Sequence, residues 1–183
     1  MDGDTHDLFS ILDQGHWVVI NFGAYWCGPC AGIASDFGQS YEDYGCNNGA
    51  VYFMEIELEG SDAQCEDFIN SYGGGYDVPY VCNATSVVNN YGVQAYPTVI
   101  LINPNRTIEE QDIWPFDYNI MMNTLQIYSL SPGDCQATEL EEIYNNTSKS
   151  LIKVVDILGR ETINKNFNIE IYNDGSVEKK YLI

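Results

Sequence analysis

The chain has 183 residues, 45% of them hydrophobic, and its 27 acidic and 7 basic residues give a formal net charge of −20. This length is enough for one domain with its own core and a smaller appendage. The charge argues against nucleic acid and anionic membrane surfaces as partners, because both are themselves negatively charged.

The charge is unevenly distributed along the chain. Residues 1–148 hold 22 acidic residues and one basic residue, Arg106, whereas residues 149–183 hold five acidic and six basic residues. A change of this kind indicates segments with different roles. We predict a main domain over residues 1–130, a linker over 131–147 and a short β-rich segment over 148–183.

Cysteine usage indicates the compartment in which the protein works. The chain opens with acidic residues and shows neither a signal peptide nor an apolar run that could span a membrane. Its six cysteines nevertheless favour an oxidising compartment. We expect a secreted or cell-surface protein, with the periplasm as the alternative, whose signal peptide has been removed and whose Met1 was added for expression.

The first predicted elements lead to a pair of cysteines. Apolar spacing predicts a short helix after Thr5, its expected N-cap, that ends at Gly15. A run of β-branched and aromatic residues, 18–22, then predicts a buried strand. The strand leads to Cys27 and Cys30, and the helical spacing that follows predicts a helix beginning at these cysteines.

The position of the two cysteines at a helix start has a chemical consequence. Pro29 is tolerated in a first helical turn, and the unpaired N–H groups there stabilise a thiolate over a thiol. Cys27 is therefore the expected exposed nucleophile, and Cys30 the expected shielded, resolving thiol. A zinc site needs four ligands, but no second close pair of cysteines exists and both His6 and His16 precede the motif. We predict a redox pair, with no metal and no cofactor.

Helices and strands alternate in the middle of the chain. We expect strands at 51–59, 78–81, 96–103 and 107–113, and helices at 62–72, 85–91 and 117–130. On strand 51–59, Glu55, Glu57 and Glu59 alternate with apolar residues. We expect these glutamates to form a solvated or edge-protecting face.

Trp26-Cys27-Gly28-Pro29-Cys30 matches the active-site motif of the thioredoxin superfamily residue for residue. The chain resembles that superfamily over roughly residues 5–130, which implies an α/β thioredoxin fold with a central mixed sheet flanked by helices. The inserted helix–strand–helix at 62–91 is similar to that of TlpA/ResA-like extracytoplasmic thiol oxidoreductases. The resemblance implies catalysis by Cys27 and Cys30, supported by Trp26, Gly28 and Pro29.

Tyr96-Pro97 is the second element that carries the resemblance. In the superfamily a cis-proline heads a strand and faces the cysteine loop, and the backbone beside it can pair with an extended substrate segment. Tyr96 stands where the family usually has Thr, Val or Ile, so we expect unusual contacts there.

Two positions depart from the family in a way that affects proton transfer. Asn21 replaces a buried aspartate that helps to take the proton of the resolving thiol, although Asn21 is common in TlpA-like proteins. Ile33 replaces a glutamate that TlpA/ResA-like proteins often carry. Water or an acid distant in sequence is left to serve Cys30.

The other four cysteines allow three pairings. The topology implied by the resemblance brings Cys46 and Cys135 to one end of the domain and leaves Cys65 and Cys82 within the insertion. It therefore implies Cys46–Cys135 and Cys65–Cys82 disulfides. Four buried free thiols are the alternative, which an oxidising compartment disfavours.

Residues 148–183 resemble the C-terminal sorting domain of the type IX secretion system of Bacteroidota, although they are shorter than the full sorting domain. Asp-Ile-Leu-Gly-Arg-Glu at 156–161 and Tyr-Asn-Asp-Gly-Ser at 172–176 carry this resemblance, and Asp174-Gly175 predicts a hairpin turn. The resemblance implies secretion machinery as a partner. An ordinary hairpin that packs on the main domain is the alternative.

These features predict a secreted thiol–disulfide oxidoreductase that acts on protein thiols and disulfides, with an unidentified redox partner and an undetermined direction. Gly-Pro between the cysteines is typical of reducing thioredoxins. A peroxiredoxin, which shares the fold, would need Pro at Ile20 and Thr or Ser at Ala24, so we do not predict a peroxidase. The alternative from another class is an exported binding or scaffold module with a structural Cys27–Cys30 disulfide.

Overall fold

The computed structural model describes residues 5–135, 151–155, 167–173 and 176–181. The chain divides into two compact units, Met1–Thr138 and Glu139–Ile183. Most of the predicted linker, and the 156–161 stretch of the tail, lie outside the described residues. The linker therefore stays a prediction.

The first unit is a five-stranded sheet with helices on both faces. Its elements are α1 (Leu8–Asp13), β1 (Trp17–Gly23), α2 (Gly28–Asp43), β2 (Val51–Glu57), α3 (Asp62–Tyr72), β3 (Tyr80–Val81), α4 (Thr85–Tyr91), β4 (Thr98–Ile102), β5 (Ile108–Glu110) and α5 (Tyr118–Ile127). The strand order is β3-β2-β1-β4-β5. β1 and β3 run parallel to β2, whereas β4 runs antiparallel to both β1 and β5. The predicted mixed α/β sheet is confirmed.

Strand β1 lies at the centre of the sheet, and both of its faces are covered. Its interior residues, from Val18 to Phe22, are at most 3% exposed. Val19 packs with apolar side chains of α2 and α5. Ile20 and Phe22 point the other way and pack with those of α1 and α4. The continuous apolar run predicted from the sequence is therefore the centre of both core layers.

Local hydrogen bonds place the ends of the helices differently from the sequence prediction. Asp7 caps α1, because its side chain accepts the N–H of Ser10 at 2.8 Å. The predicted N-cap, Thr5, is therefore wrong; the carboxylate directly before the helix takes that role. At the other end of the unit α5 stops at Ile127, since Ser129 adopts a positive φ of 59°.

Two disulfides connect distant parts of the first unit. Cys46 follows α2 and is bonded to Cys135, which follows α5. Cys65 lies in α3 and is bonded to Cys82, which follows β3. The structure thus has the two pairs that the thioredoxin-like topology implies.

Strand β2 carries two buried acids, which corrects the prediction of a solvated glutamate face. Glu55 and Glu57 are only 9% and 1% exposed. The insertion covers them: Tyr80 of β3 pairs with Glu55, and Phe68 of α3 lies beside it. Glu59, just after the strand, is exposed as expected.

Burial changes the protonation of Glu55. Loss of hydration raises the pKa of its carboxyl group to about 8, an effect that a hydrogen bond with the Asn21 side chain opposes and the charge of Glu57 reinforces. Water would stabilise the charged form, so a buried carboxyl keeps its proton to a higher pH. In the folded protein Glu55 is therefore mostly protonated at neutral pH.

The second unit contains a three-stranded antiparallel sheet within the segment predicted to be β-rich. Its strands are β6 (Leu151–Val155), β7 (Phe167–Tyr172) and β8 (Val177–Tyr181), in the order β6-β7-β8. The predicted Asp174-Gly175 turn falls between β7 and β8 but lies outside the described residues.

Double substitution of Cys46 and Cys135 by Ser should lower the free energy of unfolding by roughly 4 to 5 kcal/mol, the chain-entropy value for a loop of 89 residues. The Cys65/Cys82 double variant is the matched control, and its shorter loop of 17 residues should cost about 3 kcal/mol. Urea unfolding of the oxidised proteins measures both losses. Non-reducing peptide mapping that links Cys46 to Cys65 or Cys82 would overturn the pairing.

Glu55→Gln should raise the free energy of unfolding at pH 8 and above, and the gain should shrink toward pH 5. The unfolded chain releases this proton near the ordinary pKa of 4.5 and the folded protein near 8, so stability falls with rising pH between these values. Each unit of pKa difference corresponds to about 1.4 kcal/mol. Thermal unfolding between pH 5 and 9 measures the effect, with the exposed Glu66→Gln as control. A gain independent of pH would contradict the assignment.

Candidate active site

The cysteine motif forms a turn between the end of β1 and the start of α2. The backbone N–H of Cys27 donates to the carbonyl of Ala24 at 2.7 Å. Cys27 is the N-cap of α2, and its Sγ accepts the N–H of Cys30 at 3.1 Å. A helix start offers N–H groups without a helical acceptor. Those groups can stabilise the Cys27 thiolate once the disulfide is reduced.

Cys27 and Cys30 form a disulfide, with their Cα atoms 5.2 Å apart. The two residues are 5% and 3% exposed. Cys30 is shielded as expected, but the expected exposure of Cys27 is wrong for this oxidised state. Cys30 lies close against β1, since a Cβ added to Gly23 would be 3.7 Å from its Sγ. The disulfide is thus enclosed between α2 and the sheet.

The accessible part of the motif is a rim around the disulfide. Trp26 is 55% exposed, and Gly28 and Pro29 are exposed beside it. The ring of Tyr96 meets Trp26 edge-on, with their centroids 6.1 Å apart. A partner that approaches the disulfide therefore meets these side chains first.

Pro97 comes to the same end of the sheet as the cysteines. Strand β4 runs antiparallel to β1, with Thr98 paired to Phe22, so the residue before Thr98 lies beside the loop that follows β1. The Tyr96–Pro97 peptide bond is cis, as the resemblance implies. Tyr96 also packs against the cluster that contains Cys27. The structure therefore brings all the residues predicted for the active site together.

Glu57 holds the cysteine loop in place, and the sequence analysis missed it. One of its carboxyl oxygens accepts the backbone N–H of Tyr25 at 2.7 Å, and the other accepts the O–H of Tyr80 at 2.8 Å. Burial raises the pKa of Glu57, whereas these hydrogen bonds oppose the rise. Since Tyr25 directly precedes Trp26, Glu57 fixes the entry to the motif on β2.

The surroundings of the disulfide are acidic. The indole N–H of Trp26 donates to Glu59 at 3.2 Å, so a second glutamate, after Glu57, contacts the cysteine loop. Arg106, the one basic residue of positions 1–148, is paired with Asp13 at 2.8 Å. It follows β4 at the end of the sheet away from the motif. Within this unit the N–H groups at the start of α2, and not a lysine or arginine side chain, are therefore positioned to stabilise a Cys27 thiolate.

Within residues 5–135 and the described strands of the tail, no group of three His, Cys, Asp or Glu side chains is placed to hold a metal. The helices of the same residues are all too short or too polar to cross a membrane.

A curated relative resembles the first unit in sequence. It is the thiol-disulfide oxidoreductase ResA of Oceanobacillus iheyensis, which is 31% identical over 97 residues. The aligned region covers 53% of this chain and 49% of that protein. The match thus spans about half the length of the relative.

Solved structures share the fold at lower identity. The thioredoxin domain of a thiol-disulfide oxidoreductase from Bacteroides vulgatus has a TM-score of 0.57 at 14% identity and covers 70% of this chain and 88% of that one. A thioredoxin family thiol:disulfide interchange protein from Chlorobium tepidum TLS has a TM-score of 0.58 at 16% identity, covering 69% and 87%. Among protein families, the AhpC/TSA family matches residues 1–111. Because this match takes in more than half of the sequence, the chain belongs to the AhpC/TSA family, and its first unit has the thioredoxin fold.

Proposed function

We propose that this protein is a thiol–disulfide oxidoreductase that exchanges disulfides with protein substrates through Cys27 and Cys30. The observation that carries the proposal is the Cys27–Cys30 disulfide at the start of α2, where the N–H of Cys30 reaches the sulfur of Cys27. The 31% identity to a protein named as a thiol-disulfide oxidoreductase supports the same chemistry.

The exchange proceeds in two steps when the reduced protein meets a substrate disulfide. The Cys27 thiolate attacks one substrate sulfur and forms a mixed disulfide, while the other substrate sulfur leaves as a thiolate. Cys30 then attacks the sulfur of Cys27, releases the second substrate thiolate and closes the Cys27–Cys30 disulfide. Two electrons pass from the protein to the substrate, and the reverse sequence oxidises a substrate dithiol.

The surface around the disulfide suits an extended protein segment. Trp26 and Tyr96 offer an aromatic rim. The resemblance to the thioredoxin superfamily implies that the backbone beside the cis Pro97 pairs with an added strand of substrate. The first unit is strongly acidic. Electrostatic repulsion therefore disfavours acidic substrates and favours neutral or basic ones.

Membership of the AhpC/TSA family does not lead us to propose a peroxidase. Ile20 and Ala24 stand where the peroxiredoxin signature has Pro and Thr or Ser. Cys30, bonded to Cys27 within a single turn, instead suits the resolution of a mixed disulfide.

An exported binding or scaffold module is the second candidate. The burial of both Cys27 and Cys30 favours it, because a disulfide enclosed by the fold is the arrangement of a structural bond. In that case the aromatic rim would bind a partner without exchange.

The tail gives the proposed location. We infer that residues 148–183 are a sorting segment for type IX secretion, which would make the protein secreted or bound to the cell surface. Support comes from the sequence resemblance, the separate charge balance and the antiparallel sheet of β6, β7 and β8. The relatedness to ResA also favours an extracytoplasmic location, with the periplasm as the alternative.

Cys27→Ser and Cys30→Ser should separate exchange from binding. In an insulin-reduction assay with dithiothreitol, Cys27→Ser should fall to the rate of dithiothreitol alone, because no nucleophile is left. Cys30→Ser, reduced and mixed with insulin after removal of the dithiothreitol, should accumulate a mixed disulfide between Cys27 and the substrate, visible on a non-reducing gel. If Cys27→Ser keeps full biological activity in the native host, the binding module replaces the oxidoreductase.

Truncation after residue 148 should separate the tail from catalysis. The shortened protein should keep its insulin-reduction rate, because every residue of the proposed site lies before position 98. In a host with type IX secretion it should fail to reach the cell surface, as measured by fractionation, whereas full-length Cys27→Ser should be exported normally. Normal export of the truncated protein would refute the sorting role, and a large loss of activity would show that catalysis depends on the tail.

A further inference from the structure

A cavity behind the active-site helix contains a carboxyl group that the exchange steps above do not use. Glu55 lines it together with Ala34 of α2 and Phe68 of α3. Ala34 and Phe68 also belong to the apolar cluster that encloses Cys30. The cavity measures about 10 Å³, close to the minimum for a single water molecule. Glu55 and Cys30 therefore share two neighbours, Ala34 and Phe68, in the region between α2, α3 and the sheet.

The register of β1 and β2 places an asparagine between these two groups. Asn21 pairs with Glu55, and Gly23 pairs with Glu57. Residues two apart on a strand share a face, so Asn21 lies on the face of β1 that Cys30 contacts at Gly23. Neighbouring strands are about 4.8 Å apart. Glu55 is thus two residues along and one strand across from Gly23, the position that Cys30 covers.

Asn21 has hydrogen-bonding capacity suited to both neighbours. Its side chain lies beside Glu55 across the strand pairing and opposes the rise in the pKa of that carboxyl group. Its Oδ1 is buried and, among the described residues, has no hydrogen-bond partner. A buried acceptor without a donor costs stability and calls for an explanation. In the oxidised state the sulfur of Cys30 carries no proton. After reduction its S–H group is a hydrogen-bond donor, and Asn21 Oδ1 is an acceptor that has no other donor among the described residues.

The two buried acids of β2 differ in what their oxygens do. Glu57 accepts hydrogen bonds at both oxygens, from Tyr25 and Tyr80, which suits a carboxylate with a fixed structural role. Glu55 instead faces the cavity, and its burial leaves the carboxyl group protonated at neutral pH. Glu55 is therefore the acid that holds a transferable proton in the oxidised protein.

We propose that Glu55 is the proton-exchange partner of Cys30 and that Asn21 is the positioning residue for its carboxyl group. When a substrate thiolate attacks Cys27, the disulfide breaks, Cys30 leaves as a thiolate, and the proton of Glu55 passes to Cys30. When Cys30 attacks a mixed disulfide, its proton returns to the Glu55 carboxylate and the substrate leaves as a thiolate. The proton thus stays in the protein interior, close to a thiol of which only 3% is exposed. This inference rests on the proposed disulfide exchange.

The test is the rate at which Cys30 resolves a mixed disulfide. After selective reduction of Cys27 and Cys30, one equivalent of 5,5′-dithiobis(2-nitrobenzoate) should release thionitrobenzoate in two phases, attack by Cys27 and then resolution by Cys30. Glu55→Gln should leave the first phase unchanged and slow the second at pH 8 by at least about tenfold, since acid–base assistance typically contributes 10²–10⁴-fold. Near pH 10, where hydroxide removes the proton of Cys30, the two rates should converge.

Two further variants make the result decisive. Glu66→Gln makes the same substitution at an exposed glutamate and should keep the wild-type pH profile. Asn21→Asp combined with Glu55→Gln moves the carboxyl group to the paired position on β1 and should restore the second phase. If Glu55→Gln follows the profile of Glu66→Gln, or if the folded double variant stays slow, the role of Glu55 is overturned while the exchange stands. If the wild type shows no second phase, the proposed exchange itself fails.

Discussion

The central position of β1 is the constraint on which the site depends. Both faces of β1 are buried, and β2 and β4 are hydrogen-bonded to its two edges. The residues that surround the loop after β1 are therefore determined by the pairing of β1 with these two strands. On one side the parallel register with β2 brings Glu57 opposite Gly23, next to the cysteine loop. On the other side the antiparallel register with β4 brings Pro97 to the same end. The loop that carries Cys27 is therefore held from two directions by backbone pairing before any side chain of the motif contributes.

The electrostatics of the site follow from an almost complete lack of basic residues. No lysine or arginine of residues 1–148 other than Arg106 exists to stabilise a thiolate, and Arg106 is engaged with Asp13. Within the first unit, the N–H groups at the start of α2 are the groups positioned to supply that stabilisation against the nearby carboxylates. Of these acids, Glu57 recovers part of its burial cost through two hydrogen bonds. Glu55 recovers less, and a buried ionisable group retained at a cost, beside a reactive pair, is a candidate for function.

The features that could be predicted from the sequence are those determined by residues close together in the chain. The buried strand 18–22, the redox pair and the helix that follows it each have a local pattern, and the expectations about β4 and the cis Pro97 followed from the family resemblance. The environment of Glu55 and Glu57 could not be predicted in this way. Alternation of glutamate with apolar residues is typical of a half-exposed strand, and the side chains that cover this face come from α3 and β3, which lie later in the chain. The N-cap of α1 was missed for a smaller reason, since Asp7 and Thr5 both suit that position.

The insertion explains why an acid on β2 can take a role that thioredoxins give to an aspartate on the strand of the cysteines. Without α3 and β3, β2 would be the edge of the sheet, and a carboxyl group there would be hydrated and ionised. With β3 paired to it and Phe68 of α3 packed beside it, β2 becomes an interior strand, and only 9% of Glu55 is exposed. The acid that exchanges the proton can then be Glu55 on β2 instead of a residue on β1. The neutral Asn21 can occupy the position on β1, which is nearer to Cys30. The presence of α3 and β3 and the replacement of the aspartate by Asn21 are therefore connected, because the insertion buries the acid that takes the role of that aspartate.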